Sequence, residues 1–193
     1  PYLVDREIHS TFDFNMLPYQ TNLLGQILRK DSGVLQVRIF REYCLKPPLN
    51  SPENACKFAI QDYIKTYGFN IFSVYGDASG RYGYDNYRGI FDELNPYLHN
   101  DSDQVMRKNP IIPMARDLIN EILRGEYPNI ELVIDESCVN LILDLETLQT
   151  SPDGFDPEKN KEGVETKGHC YSALVYFICV VFSYLLKQNK GKS

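Results

Sequence analysis

The spacing of apolar residues changes once along this chain, near Ser51, and that change limits the folds open to it. Before Ser51, apolar and polar residues alternate over Val34–Tyr43, which is the pattern of a half-buried strand. β-branched and aromatic residues predict two earlier strands, Ile8–Phe14 and Thr21–Leu28. A turn at Asp31-Ser32-Gly33 would join the last two as a hairpin. We therefore expect three consecutive antiparallel strands.

After Ser51, the apolar residues recur at helical spacing. Ser51 is a good N-cap, Pro52 suits the first helical position, and Gly68 would end the helix. The apolar run Phe69–Tyr75 then predicts a buried strand. Further helices and strands are expected at about Tyr87–Leu94, Gln104–Arg107, Pro113–Leu123, Ile130–Ile134 and Val139–Leu148, followed by an apolar helix after His169.

This order predicts a mixed α/β domain with one central sheet and helices on both faces. The length of 193 residues suits a single domain over 1–193. The polar segment 150–167 is expected to form an exposed loop. Because Pro1 is not an initiator methionine, we expect the chain to be a piece of a longer protein. Such an order is compatible with an RNase H-like core but not unique to one.

Composition excludes several classes of protein. With 43% hydrophobic and 24% charged residues, the chain is expected to be globular and soluble. A net charge of −6 argues against a general nucleic-acid coat, although metal-binding carboxylates would also make a nuclease acidic. The 5 cysteines include no C-x-x-C pair, so reduced thiols in a cytoplasmic compartment are expected. The apolar run Ser172–Leu186 is shorter than the roughly 20 residues of a membrane span, which favours a buried helix.

Two aspartates are candidates for chemistry. Strand alternation puts Asp13 on the face opposite Phe12 and Phe14, where a carboxylate needs a partner. Capping a turn at the strand end is an equally good interpretation of Asp13. Asp77 follows an apolar strand and lies among small residues, at the kind of strand end where α/β folds form sites. A tight-turn aspartate is the alternative there, and the functional interpretation is favoured.

Three other residues are weaker candidates. His169, just before the last helix, could bind a borderline metal or act as a base, or could simply bond a backbone carbonyl. Glu42 could be a further carboxylate near a site, although a solvated strand face is the commoner role. Asp135 ends a strand and is expected mainly to cap the helix that begins near Val139.

Several segments together resemble one family, the C-terminal nuclease domain of tailed-phage terminase large subunits. The resemblance spans nearly the whole chain in family order. The segments are Phe12-Asp13-Phe14-Asn15 with Pro18 and Gln26, Val37–Tyr43, Val74–Gly80, Asn109-Pro110 with Arg116-Asp117, Val133–Cys138 with Leu141-Ile142, and Gly168-His169 with Ala173-Leu174 and Tyr176.

The resemblance implies an RNase H-like nuclease of the RuvC and terminase type that cuts concatemeric double-stranded DNA during packaging. It also implies partners: a separate ATPase motor domain, the portal and the small terminase subunit, acting in the host cytoplasm at the procapsid. No P-loop sequence occurs in the chain, so the motor domain would be absent from it. Other RNase H-like enzymes, such as resolvases, and a non-catalytic docking module of the same fold are the alternatives.

By position in the family, the metal-binding and catalytic residues would be Asp13, Asp77 and His169, holding two Mg²⁺ or Mn²⁺ ions. Many relatives carry an aspartate where this chain has Ser172, and a carboxylate is more usual where it has His169. Fewer charged oxygens predict weaker or Mn²⁺-preferring binding. Phosphate contacts, rather than base contacts, would guide cutting, with four candidate residues: Arg81, Arg107, Lys108 and Lys167.

Overall fold

The computed structural model describes residues 2–13, 17–67, 72–78, 106, 108–148 and 167–188. Its strands are β1 (Ile8–Asp13), β2 (Gln20–Arg29), β3 (Leu35–Leu45), β4 (Phe72–Gly76) and β5 (Ile130–Ile134). Its helices are α1 (Pro52–Tyr67), α2 (Ile112–Leu123), α3 (Val139–Thr147), α4 (His169–Val181) and α5 (Ser183–Gln188). The helix expected at 87–94, most of the strand expected at 104–107 and most of the loop expected at 150–167 lie outside the described residues.

The five strands form one mixed sheet in the order β4-β1-β2-β3-β5. β1, β2 and β3 are antiparallel neighbours, as the alternating pattern predicted. β4 and β5 pair in parallel with β1 and β3, respectively. The turn between β2 and β3 passes through Gly33, whose φ of 84° is accessible to glycine at little cost. The predicted mixed α/β sheet is therefore confirmed.

Apolar side chains from the sheet enter two separate clusters because neighbouring residues of a strand point to opposite faces. In β3, Ile39 packs with the cluster that contains α2, α3, α4 and α5, whereas Phe40 packs with the cluster that contains α1. Helices thus cover both faces, as expected. α4 is buried in the first cluster, and no helix in the described parts of the chain is long and apolar enough to cross a membrane.

The position of α4 over the sheet depends on one glycine. A Cβ atom on Gly25 of β2 would lie 3.0 Å from Ile39 Cδ1 and 3.3 Å from Phe177 Cε1, so the missing side chain lets α4 approach closely. Nearer the start of the helix, Thr11 Oγ1 donates a hydrogen bond to the carbonyl oxygen of Ala173 at 2.7 Å. These contacts hold α4 against β1 and β2.

Candidate active site

Asp13 and Asp77 lie at the same edge of the sheet. β1 and β4 are parallel neighbours, and their last paired residues are Phe12 and Gly76. Asp13 ends β1, and Asp77 follows β4 directly, so both aspartates occur where two adjacent parallel strands end. In α/β folds, this carboxyl edge is where ligand sites form.

The side chain of Asp13 is buried against the first residue of α4. Its Oδ2 atom lies 2.8 Å from Nδ1 of His169, and the two side chains are 5% and 2% exposed, respectively. Tyr19 packs edge-on against the His169 ring, with the ring centroids 5.5 Å apart. Phe12 enters the opposite cluster with α1, as strand alternation predicted. The partner that a buried carboxylate at Asp13 requires is therefore an imidazole from the other end of the chain.

Asp77 is held by an asparagine that precedes α2. Nδ2 of Asn109 donates to Asp77 Oδ1 at 2.5 Å, and Oδ1 of Asn109 accepts the Ala78 backbone N–H at 2.8 Å. One amide thus clamps both the carboxylate and the backbone just after β4. In the sequence, Asn109 stands out only as part of a segment that resembles the terminase family, with no role implied for it.

Asp144 of α3 holds the start of the helix that carries His169, and the sequence analysis gave it no role. Its carboxylate is buried and accepts backbone N–H groups from Gly168 (3.0 Å), Cys170 (3.1 Å) and Tyr171 (3.1 Å). These groups belong to the start of α4, where an anion is favoured by unpaired N–H groups and by the helix dipole. Burial raises the pKa of Asp144, and the three hydrogen bonds oppose that rise. Asp144 therefore positions the helix end that carries His169.

One signal in the sequence could have revealed Asp144. It lies at helical spacing from Leu141, on the face of α3 that packs into the core. A carboxylate on a buried helix face is costly unless the fold supplies donors, so its presence there indicates a polar partner.

Glu42 and Asp135 take roles that differ from those expected. Glu42 Oε1 accepts the backbone N–H (2.9 Å) and the Nδ2 group (2.7 Å) of Asn140, and Oε2 accepts the Leu141 N–H (2.9 Å). Glu42 therefore caps α3. The capping role expected for Asp135 is wrong, because its Oδ1 atom bonds to the N–H and hydroxyl of Ser137, ahead of the helix. Those bonds lower the pKa of Asp135.

A second group of possible ligands lies on the same face of the sheet as Asp13. Thr21 of β2 pairs with Asp13 on one side and with Cys44 of β3 on the other. Ligand atoms of Glu42, Cys44 and Cys170 all lie within 4.8 Å of one another. The Sγ atoms of Cys44 and Cys170 are 3.4 Å apart. The spacing of these residues in the sequence gave no sign of this group.

The predicted DNA-contacting residues are only partly described. Lys108 is exposed and directly precedes Asn109, which clamps Asp77. Lys167 is half-buried and precedes Gly168 at the start of α4. Both lysines therefore lie beside the candidate site in sequence. Arg81 and Arg107 lie outside the described residues.

The donors at this edge suit a hard divalent cation. Carboxylate oxygens, such as those of Asp13 and Asp77, are the ligands that Mg²⁺ and Mn²⁺ prefer, and a neutral imidazole such as His169 also suits borderline metals. In the structure, Asp13 and His169 are in direct contact, and Asp77 follows the neighbouring strand. The residue types at this edge therefore fit the expected divalent ion. Among the described residues, however, the three possible ligands close enough to share one ion are Glu42, Cys44 and Cys170, not Asp13, Asp77 and His169.

Comparison with solved structures identifies the fold. The large terminase of a thermophilic bacteriophage superposes with a TM-score of 0.57, at 13% identity, over 92% of this chain and 40% of the terminase chain. The same terminase in complex with ATP-γ-S superposes with a TM-score of 0.55, at 14% identity, over 94% of this chain and 41% of the terminase chain. This chain shares an RNase H-like α/β fold with a phage large terminase. The resemblance in sequence is thus confirmed at the level of the fold.

The chain spans about two fifths of the length of the terminases it matches, 40% and 41%. The yeast mitochondrial Holliday junction resolvase Ydc2 is also similar, with a TM-score of 0.37 and 8% identity, over 97% of this chain and 87% of the resolvase. No protein-family model and no curated protein matches the chain.

Proposed function

We propose that this chain is a divalent-metal-dependent endonuclease, the nuclease domain of a phage DNA-packaging terminase, which cuts concatemeric double-stranded DNA. The observation that carries the proposal is the pairing of β1 with β4, which brings Asp13 and Asp77 to one carboxyl edge of an RNase H-like sheet. Oxygen ligands at that edge fit Mg²⁺ or Mn²⁺.

The chain's own residues would divide the work at this site. Asp13 and Asp77 would hold the metal, and two ions bound there would supply an activated water and stabilisation of the leaving oxygen. His169 would orient the Asp13 carboxylate through the 2.8 Å contact, or bind the metal itself. Asn109 would keep Asp77 turned toward the same edge.

DNA would be held through phosphate contacts without base recognition. Lys108 and Lys167 flank the candidate site in sequence, and Arg81 and Arg107 remain candidates for the same task. Because the net charge is −6, we expect weak, salt-sensitive binding to duplex DNA by this chain alone. During packaging in the host cytoplasm, a motor ATPase domain, the portal and the small terminase subunit would supply the additional contacts that hold the DNA.

The test is nicking of supercoiled plasmid in the presence of Mn²⁺ or Mg²⁺. Wild type should nick, whereas Asp13→Asn and Asp77→Asn should not, because each loses a charged oxygen ligand. Asp31→Asn is the matched control, since Asp31 is an exposed carboxylate in the β2–β3 turn. Equal nicking by wild type and the two site variants would end the catalytic assignment.

Two further measurements distinguish a terminase nuclease from a resolvase and from a non-catalytic docking module. A resolvase should cut a four-way junction in preference to linear duplex, whereas a terminase nuclease should cut the linear duplex. A folded wild-type protein that neither binds Mn²⁺ nor nicks would point to a non-catalytic docking module. The test for a docking module is needed because this chain has Ser172 at a position where many members of the family carry an aspartate.

A further inference from the structure

We propose that Glu42, Cys44 and Cys170 form a second metal site, which binds a thiophilic divalent cation of the zinc class. The three ligand atoms lie within 4.8 Å of one another, and they come from β3 and from the second residue of α4. Thiolate sulfur prefers zinc to magnesium or manganese, so the site would not compete for the cations expected at Asp13 and Asp77.

The two sulfur atoms have nearly the separation that one shared ion requires. Sulfur ligands about 2.3 Å from a tetrahedral zinc ion would be about 3.8 Å apart. The Sγ atoms of Cys44 and Cys170 are 3.4 Å apart, so a small outward movement would admit the ion. Two thiolates, one carboxylate oxygen and one water would complete four-coordination.

Glu42 has one oxygen available for this role. Its Oε1 atom already accepts two hydrogen bonds from Asn140, whereas Oε2 accepts one, from the Leu141 N–H. A carboxylate oxygen can accept at two lone-pair positions, so Oε2 keeps one for a metal. The bonds from α3 also fix the orientation of the carboxylate, as hydrogen bonds to metal ligands commonly do.

The surroundings of Cys170 also orient it as a ligand. Its backbone N–H bonds to Asp144, which fixes the first turn of α4. Cys170 itself is fully buried. Glu42 and Cys44 are half-buried, so an ion would enter from the β3 side.

The experiment is a titration of the full, freshly reduced chain with Co²⁺, followed through the thiolate-to-cobalt charge-transfer absorption, with Zn²⁺ added to displace it. We expect the absorption to saturate at a single equivalent and to be lost in Cys44→Ser and in Cys170→Ser. Cys179→Ser is the matched control, because Cys179 is a buried thiol in the same helix, and it should keep the absorption. Cys138, a buried free thiol just before α3, stays unchanged in every variant.

Further variants keep the result decisive if burial makes Cys170→Ser unstable. Glu42→Gln should weaken Zn²⁺ affinity, because a neutral amide replaces a charged oxygen ligand. Asp77→Asn, just after β4 and held by Asn109, should leave the Co²⁺ absorption unchanged, so a failure of the nuclease proposal would not be mistaken for a failure of this one. The same absorption in Cys44→Ser as in wild type would overturn the proposal. A reduced, folded wild type that shows no such absorption at saturating Co²⁺ would also overturn it.

Discussion

Nδ1 of His169 lies 2.8 Å from Oδ2 of Asp13, a contact between residues 156 positions apart in the chain. Both side chains are almost fully buried, so the contact ties the start of α4 to the end of β1. Asp144 holds the same helix end from α3, through three backbone N–H groups. The candidate site therefore depends on the correct docking of α4.

The Asp13–His169 contact should appear as an energetic coupling. Removing either side chain leaves the other polar group buried without this partner, at a cost of about 1 to 3 kcal/mol. In a double-mutant cycle of Asp13→Ala and His169→Ala, we expect a coupling energy of about 0.5 to 3 kcal/mol in the free energy of unfolding. Urea denaturation measures it. Strictly additive effects would show that the contact does not contribute to stability.

Loss of the Asp144 carboxylate should destabilise the fold. Asp144→Ala leaves three N–H groups at the start of α4 without their acceptor, and we expect a loss of about 2 to 3 kcal/mol in the free energy of unfolding. Asp144→Asn should cost less, because one oxygen acceptor remains. Glu146→Gln, an exposed change on the same helix, serves as the control. Equal melting temperatures for all four proteins would contradict the positioning role.

Asn109→Ala should reduce metal-dependent nicking more than it reduces stability. Asn109 is half-exposed, but it clamps both Asp77 and the Ala78 N–H. A freed Asp77 carboxylate would be misoriented, and we expect about tenfold or more slower nicking. Plasmid nicking and thermal melting measure the two effects, with Asn120→Ala on the exposed face of α2 as the control. Unchanged nicking would remove Asn109 from the site.

The stability of the protein should depend on the protonation of His9. Burial lowers the pKa of His9 below its ordinary 6.5, whereas the charge of Glu7 acts in the opposite direction. Tyr75 OH also faces the ring, 2.9 Å from Nδ1. The unfolded chain therefore takes up a proton as pH falls below 6.5, before the folded protein does.

The free energy of unfolding of wild type should consequently fall as pH is lowered from about 7 to about 5. His9→Gln, which has no titrating ring, should show a smaller decrease over the same interval. Urea denaturation of both proteins at the two pH values isolates the contribution of His9, because every other titrating group is shared. A decrease of the same size in both proteins would contradict the assignment.

Local patterns in the sequence were enough to predict most described elements. β5 spans Ile130–Ile134 and α3 begins at Val139, both as predicted. Asp77 could be singled out because it follows an apolar strand and lies among small residues. Hydrophobic periodicity and turn residues are properties of neighbouring positions, so a single chain displays them directly.

The partners of the site residues were decided only by tertiary structure. The sequence suggested that Glu42 lies on a solvated strand face, but in the structure it caps α3. The spacing of Cys44 and Cys170 along the chain did not indicate that their sulfur atoms would be neighbours. The placement of β4 beside β1, which puts Asp13 and Asp77 at the ends of neighbouring strands, depends on strand pairing between distant segments. Such pairing follows from which apolar faces the whole chain can bury together, and no local pattern encodes that choice.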